Sequence, residues 1–82
     1  MKKLSMLSKN HFVVSDDEHS TVYFQSYKTV IAEQIGGKTY LDENYWDFPN
    51  IAKYRSLFLS ETKAETERKI KSGESELTNL NE

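Results

Sequence analysis

Two adjacent glycines constrain this chain more than any other feature. Gly36-Gly37 separates Thr29–Ile35, rich in β-branched residues, from Lys38-Thr39-Tyr40-Leu41. A two-residue hairpin turn of the primed type needs positive φ at its centre, which glycine adopts without steric cost. The pair therefore predicts a hairpin. Upstream, Val22–Ser26 alternates, with Val22 and Phe24 on one side and Tyr23, Gln25 and Tyr27 on the other. Tyr27-Lys28 leaves room only for a tight turn or a bulge before the next strand, in which Val30 and Ala32 lie opposite Ile31, Glu33 and Ile35. Phe12–Val14 reads as a further strand, followed by the polar loop Ser15–Ser20. The first half is thus an antiparallel meander of three or four short strands with one face to cover.

A helix supplies the cover. Asp47-Phe48-Pro49-Asn50 offers a capping residue and a proline suited to a first helical turn, where its missing N–H is no loss. Phe48, Ile51, Tyr54, Leu57 and Phe58 then recur at helical spacing, with Lys53, Ser56 and Ser60 away from them, which predicts a helix from about Pro49 to Ser60. Thr62-Lys63-Ala64-Glu65 matches a capping box, and the helix it opens ends near Ser72 with Gly73 as its stop. That second helix is mostly charged, with Ala64 and Ile70 as its main apolar residues, so it is expected to face solvent. Residues 74–82 hold only Leu77 and Leu80 as hydrophobes and read as a short edge strand or a frayed tail. The fold class is α+β: a meander of three to four strands packed by one amphipathic helix and followed by a second, polar one. At 82 residues there is core for one small domain, 1–82, with 1–10 and 74–82 as candidate flexible ends.

Composition then removes whole classes of function. Eleven Lys+Arg against 13 Asp+Glu leave a net charge of -2, neither the basic excess of a duplex binder nor the acidity of a DNA mimic. Without cysteine, disulfides, thiolate metal sites and cysteine nucleophiles are excluded together. Lys9 and Asn10 break the apolar run after Met1-Lys2-Lys3 too early for a signal peptide. No apolar stretch approaches the ~20 residues that cross a bilayer. The expectation is a soluble intracellular protein that does not engage membranes.

The candidate chemistry is sparse. Asp16-Asp17-Glu18-His19 lacks calcium-loop spacing and reads as a solvated turn. Asp42, Glu43 and Asp47 around Asn44-Tyr45-Trp46 read as a capped loop rather than an acid–base pair. His11 and His19 have no Ser or Cys partner pattern, and Gly36-Gly37 lacks the following helix of a phosphate loop. No catalytic residue, cofactor or metal is expected, and the chain reads as a non-enzyme. What remains is aromatic: Tyr40, Tyr45, Trp46, Phe48, Tyr54 and Phe58 gather where sheet hands over to helix. Trp46, Phe48 and Phe58 are read as core, whereas Tyr23 and Tyr45 are balanced between core and surface. Tyr23 and Tyr27 on one strand face would form an amphipathic surface of the kind found in interface hot spots. Lys28, Lys38, Lys53 and Arg55 form a weak phosphate track or an ordinary solvated surface. Tyr23, Tyr27, Lys28, Tyr45 and Arg55 are the expected partner-binding residues.

Five blocks carry a family likeness: Leu7-Ser8-Lys9-Asn10-His11-Phe12-Val13, Gln25-Ser26-Tyr27-Lys28-Thr29-Val30-Ile31-Ala32, Tyr45-Trp46-Asp47-Phe48, Lys53-Tyr54-Arg55 with Phe58-Leu59, and Glu65-Thr66 with Lys69-Ile70-Lys71-Ser72-Gly73. Together they resemble a family of small bacteriophage proteins from phages of low-GC Gram-positive bacteria, over nearly the whole chain. Pro49-Asn50-Ile51 stands where that family carries a serine and threonines, which alters the helix cap but not the architecture. The resemblance implies a phage accessory protein of the host cytoplasm and transfers no catalytic residues. By analogy with small non-structural phage proteins, it is expected to bind a host protein, such as a CRISPR or restriction nuclease, and inhibit or modulate it. The alternative is a single-stranded nucleic-acid binder of phage replication or expression, using aromatic stacking with Lys28, Lys38 and Lys53. Pairing of an exposed strand edge or helix face into a homodimer is a further expectation for so small a domain.

Overall fold

The computed structural model describes residues 2–81. Its elements are β1 (Lys2–Ser8), β2 (His11–Asp16), a 3-10 turn (Asp17–His19), β3 (Thr21–Ser26), β4 (Thr29–Ile35), β5 (Lys38–Asp42), α1 (Pro49–Leu59), α2 (Lys63–Ser72) and β6 (Ser75–Thr78). The strands form one sheet in sequence order, β1-β2-β3-β4-β5-β6. The first five are antiparallel neighbours, and β6 returns parallel to β5 after a crossover through both helices. The α+β class therefore holds, but with six strands rather than three or four. The two additional strands are the outer ones. β1 begins with lysines that resemble a solubilising end, yet it pairs Leu4 with Val14 and Met6 with Phe12. β6 carries a single hydrophobe, Leu77, and owes its place to the crossover that lays it beside Leu41.

Gly36 and Gly37 both take positive φ, 54° and 86°, and close the β4–β5 hairpin as a primed turn requires. Strict alternation fails inside β4. The β3–β4 register slips between Phe24 and Gln25, with Phe24 opposite Ala32 and Gln25 opposite Val30, so Ile31 is an extra residue. This bulge explains why Ile31 and Ala32, neighbours in sequence, are both fully buried. Val13, Phe24, Ala32 and Leu41 form one row across the sheet. The helices cover that face, where Phe24 stacks on Phe58 at 6.0 Å and His11 on Tyr54 at 4.2 Å. The core comprises Phe24, Ile31, Ala32, Leu41, Ile51 and Leu59, with Trp46, Tyr54, Phe58 and Ile70 packed against it.

α1 departs from the expected helix in two ways. Its buried stripe is Ile51, Arg55 and Leu59, while Leu57 is 59% exposed and Phe48 49% exposed. Its N-cap is Phe48, which makes no side-chain cap bond. Asp47 instead lies 3.6 Å from Arg55 and 3.2 Å from Lys63. α2 has the expected capping box, with Thr62 and Glu65 each bonding the other's backbone N–H, and it ends on Gly73 at φ 85°. The buried Thr66 hydroxyl donates to Glu61, whose carboxylate also receives Lys69. Among the described residues no helix is long and apolar enough to cross a membrane.

Thr62→Ala is expected to lower stability by about 1 kcal/mol, measured by chemical denaturation. The Thr62 backbone N–H, and next its side chain, hold the Glu65 carboxyl below its ordinary 4.5. A carboxyl depressed on folding contributes stability that is complete above the unfolded value and is lost as pH falls through the folded one. Helical far-ultraviolet circular dichroism should therefore fall on acidification below 4.5. Glu65→Gln should flatten that fall, and an unaltered profile in this variant would remove the cap as its cause.

Candidate functional site

Where the β3–β4 turn meets the start of α1, the surface opens into a cleft of about 210 Å³. Its floor is Ile31 from the β4 bulge and Ile51 from the first turn of α1, both buried. Its walls are Tyr27, Tyr45 and Phe48, exposed by 64%, 37% and 49%. Ser26, Thr29 and Asn50 add polar groups to the lining. Tyr45 and Phe48 meet edge to face at 5.2 Å, which makes one rigid aromatic wall.

Each wall is held by a specific device. Tyr27 has φ 55°, a left-handed conformation that costs a bulky residue about 1–2 kcal/mol. The turn is fixed because the Tyr27 N–H donates to Asn10 O at 2.7 Å and Gln25 donates to Tyr27 O at 2.8 Å. Its ring lies edge-on to His11 at 6.0 Å. The other wall belongs to the loop between β5 and α1, gripped by two buried charges. The Asp42 carboxylate, fully buried, accepts from the N–H groups of Asn44 and Tyr45 at 3.1 and 3.0 Å. Its second oxygen accepts from Leu80 N–H and the Asn81 amide, each at 2.9 Å. Arg55, also fully buried, donates to the Trp46 carbonyl at 2.7 Å and sits 5.3 Å over the Trp46 ring. Burial pushes the Arg55 pKa below the ordinary guanidinium value, and the carboxylates of Asp47, Glu67 and Glu61 oppose that shift. Opposite charges thus hold consecutive residues of one loop.

The five expected contact residues separate into three groups. Tyr27, Lys28 and Tyr45 come together, since Lys28 is exposed in the turn beside Tyr27. Tyr23 does not join them. It pairs with Val14 and Glu33 on the sheet face away from the helices, whereas Tyr27 has left the strand for the turn. Arg55 offers no surface to a partner and acts on the site only through the loop it holds. The lysine track also disperses. Lys28 and Lys38 flank opposite ends of β4, roughly 20 Å apart at strand spacing, and Lys38 donates to Gly73 O at 2.8 Å.

Phe48 is the wall residue assigned to the core from sequence. The residue before a proline is pushed out of helical geometry, and Phe48 is extended at φ -67°, ψ 130°. Its ring therefore leaves the apolar stripe that its spacing suggested, a signal readable in the Phe-Pro dipeptide.

Among the described residues no group of His, Asp and Glu side chains is arranged to hold a metal ion. The cleft volume argues its chemistry. An apolar cavity of roughly 150 Å³ holds benzene, whereas small-molecule sites run to about 300–1,000 Å³. At about 210 Å³ the cleft fits one aromatic or branched side chain. Asp42→Ala leaves buried N–H donors without an acceptor and is expected to cost about 3 kcal/mol. Hydrogen exchange should then accelerate at Tyr45 and Leu80, and unchanged protection at both would show that Asp42 does not hold the loop. Compared with known proteins, the chain matches no family model, no curated protein and no solved structure.

Proposed function

We propose that this chain is a non-enzymatic binding protein that inserts one apolar side chain of a partner protein between Tyr27, Tyr45 and Phe48. The observation that carries the reading is the cleft itself: three exposed aromatic rings around a buried isoleucine floor, sized for one side chain. Interface anchors have this form, a desolvated pocket bounded by rigid aromatic residues with polar groups at its rim. Strain at Tyr27 supports it further. Left-handed backbone at a bulky residue is retained where the side chain is needed, because glycine or asparagine would fold the turn at lower cost. Together with the resemblance noted above, the reading is of a phage accessory protein that binds a host protein, such as a defence nuclease, in the host cell and inhibits or modulates it.

The test begins with affinity capture from host lysate, with and without nuclease, followed by titration of any recovered protein against three variants. Tyr27→Gly, Tyr45→Ala and Phe48→Ala should each weaken binding by roughly thirtyfold or more, the scale of a hot-spot truncation. Tyr27→Gly should also hold or raise the unfolding midpoint, since it relieves about 1 kcal/mol of backbone strain. Loss of affinity without loss of stability separates contact from fold. Equal affinity in all three variants would sink the reading. Recovery of nucleic acid alone, abolished by nuclease, would replace it with the single-strand binder.

A further inference from the structure

The aromatic cleft contains a nearly buried hydroxyl that nothing in the fold satisfies. Ser26 lies two residues beyond Phe24 in β3, so strand alternation sends its side chain to the same helix-covered face. Its partner across the ladder, His11, stacks on Tyr54 of α1, which places that row under the helix. Ser26 lines the cleft and is 5% exposed. Among the described residues its hydroxyl has no hydrogen-bond partner. Nor is that oxygen sealed in the interior, as the unpartnered Arg55 nitrogens are, so it is open to the cleft. A polar group this deeply buried is costly to leave unpaired, and an incoming ligand would relieve it.

The start of α1 adds positive potential at the same place. Phe48 caps the helix without a side-chain bond, and its first turn holds no acidic residue. Pro49 has no N–H, and the Ile51 and Ala52 N–H groups turn back to Phe48 O at 3.1 Å each. The Asn50 N–H has no partner among the described residues, and Asn50 lines the cleft. Free N–H groups at a helix start favour an anion through hydrogen bonding and the helix dipole together. No carboxylate competes for them from the cleft lining. Asp47, next to Phe48 in sequence, is directed to Arg55 and Lys63 at 3.6 and 3.2 Å. Lys28 stands exposed beside the Tyr27 wall and adds a cation at the mouth.

We propose that the cleft captures the C-terminal residue of its partner. The apolar side chain of that residue packs between Tyr27, Tyr45 and Phe48, and its terminal carboxylate accepts from the Ser26 hydroxyl and the Asn50 N–H. The size of the cleft chooses this occupant. At about 210 Å³ it takes one residue, and an internal Asp or Glu beside an apolar anchor would bring a second side chain into the same space. A chain end carries the apolar group and the carboxylate on one residue, and backbone N–H groups are a recurrent means of capturing such ends. The inference rests on the cleft reading above and names the chemistry of its occupant.

The experiment is a nuclear magnetic resonance titration of the full chain with the acetylated peptide Gly-Ala-Ala-Phe, as the free acid and as the C-terminal amide. The free acid should bind about tenfold more tightly, the scale of a charge-assisted hydrogen bond, with amide shifts centred on Ser26 and Asn50. Its advantage should shrink as salt rises. Ser26→Ala and Asn50→Asp should each reduce the tenfold ratio to roughly twofold. Asn50→Asp should also raise the unfolding midpoint, because an acid in the first turn complements the helix dipole, so its loss of affinity is not a loss of fold. Equal binding of acid and amide would overturn the inference and leave the apolar cleft standing. A ratio unchanged in Ser26→Ala, or free-acid shifts centred away from the cleft, would overturn it as well. Absence of binding by both peptides would also overturn it, whereas the cleft reading fails separately, on equal partner affinity in Tyr27→Gly, Tyr45→Ala and Phe48→Ala.

Discussion

The loop between β5 and α1 depends on two buried charges that do not pair with each other. Asp42 accepts from the backbone at Tyr45, and Arg55 donates to the backbone at Trp46. Removing a charge from water is costly unless hydrogen bonds compensate it. In Asp42 the compensation is complete enough to organise two regions at once, since one oxygen faces the loop and the other faces Leu80 and Asn81. Asn81 then uses its side-chain amide as a strand would, donating to Val30 O at 2.9 Å and accepting from Val30 N–H at 2.6 Å. The C-terminal residues thereby continue the ladder beyond the end of β5. Chain closure and display of Tyr45 rest on one carboxylate.

The sheet is covered on one side only. Its helix face holds the buried row from Phe24 to Leu41, while the other carries Leu4, Met6, Tyr23 and Tyr40 without a helix over it. A domain this small buries a limited share of its surface, so a second covering layer is beyond its means. The bulge at Ile31 is the economical answer on the covered side. It turns two consecutive residues inward, thickens the core beneath α1 and supplies the cleft floor at the same place.

Tyr27 shows how fold and surface are linked. Its backbone is held in a conformation suited to glycine, its N–H is tied to the β1–β2 turn at Asn10, and its ring stands in solvent. A residue selected for the turn alone would be smaller. The alternation that set Tyr23 and Tyr27 on one face assumed that the strand continued through both, and the chain leaves the strand at Ser26. Proximity of Tyr27 to Tyr45 instead comes from packing α1 across the sheet end, between residues far apart in sequence.

Local chemistry made much of the chain legible. Gly36-Gly37 specified its hairpin through positive φ, Thr62 and Glu65 specified the start of α2 through reciprocal hydrogen bonds, and Gly73 specified its end. Pro49 specified the start of α1 because only a first turn tolerates its missing N–H. These are interactions within a few residues, which periodicity and turn chemistry capture directly. What tertiary structure alone decided was long-range. β6 forms because a crossover delivers it to β5, Arg55 is buried where the fold packs it against Trp46, whose carbonyl nine residues away it bonds, and the cleft exists because a bulge, a turn and a helix start converge. Sequence patterns treat an arginine on a helix as solvated and leave a weakly apolar segment such as residues 74–82 open between an edge strand and a frayed tail. Only packing, which trades desolvation against specific partners in space, reverses the first and decides the second.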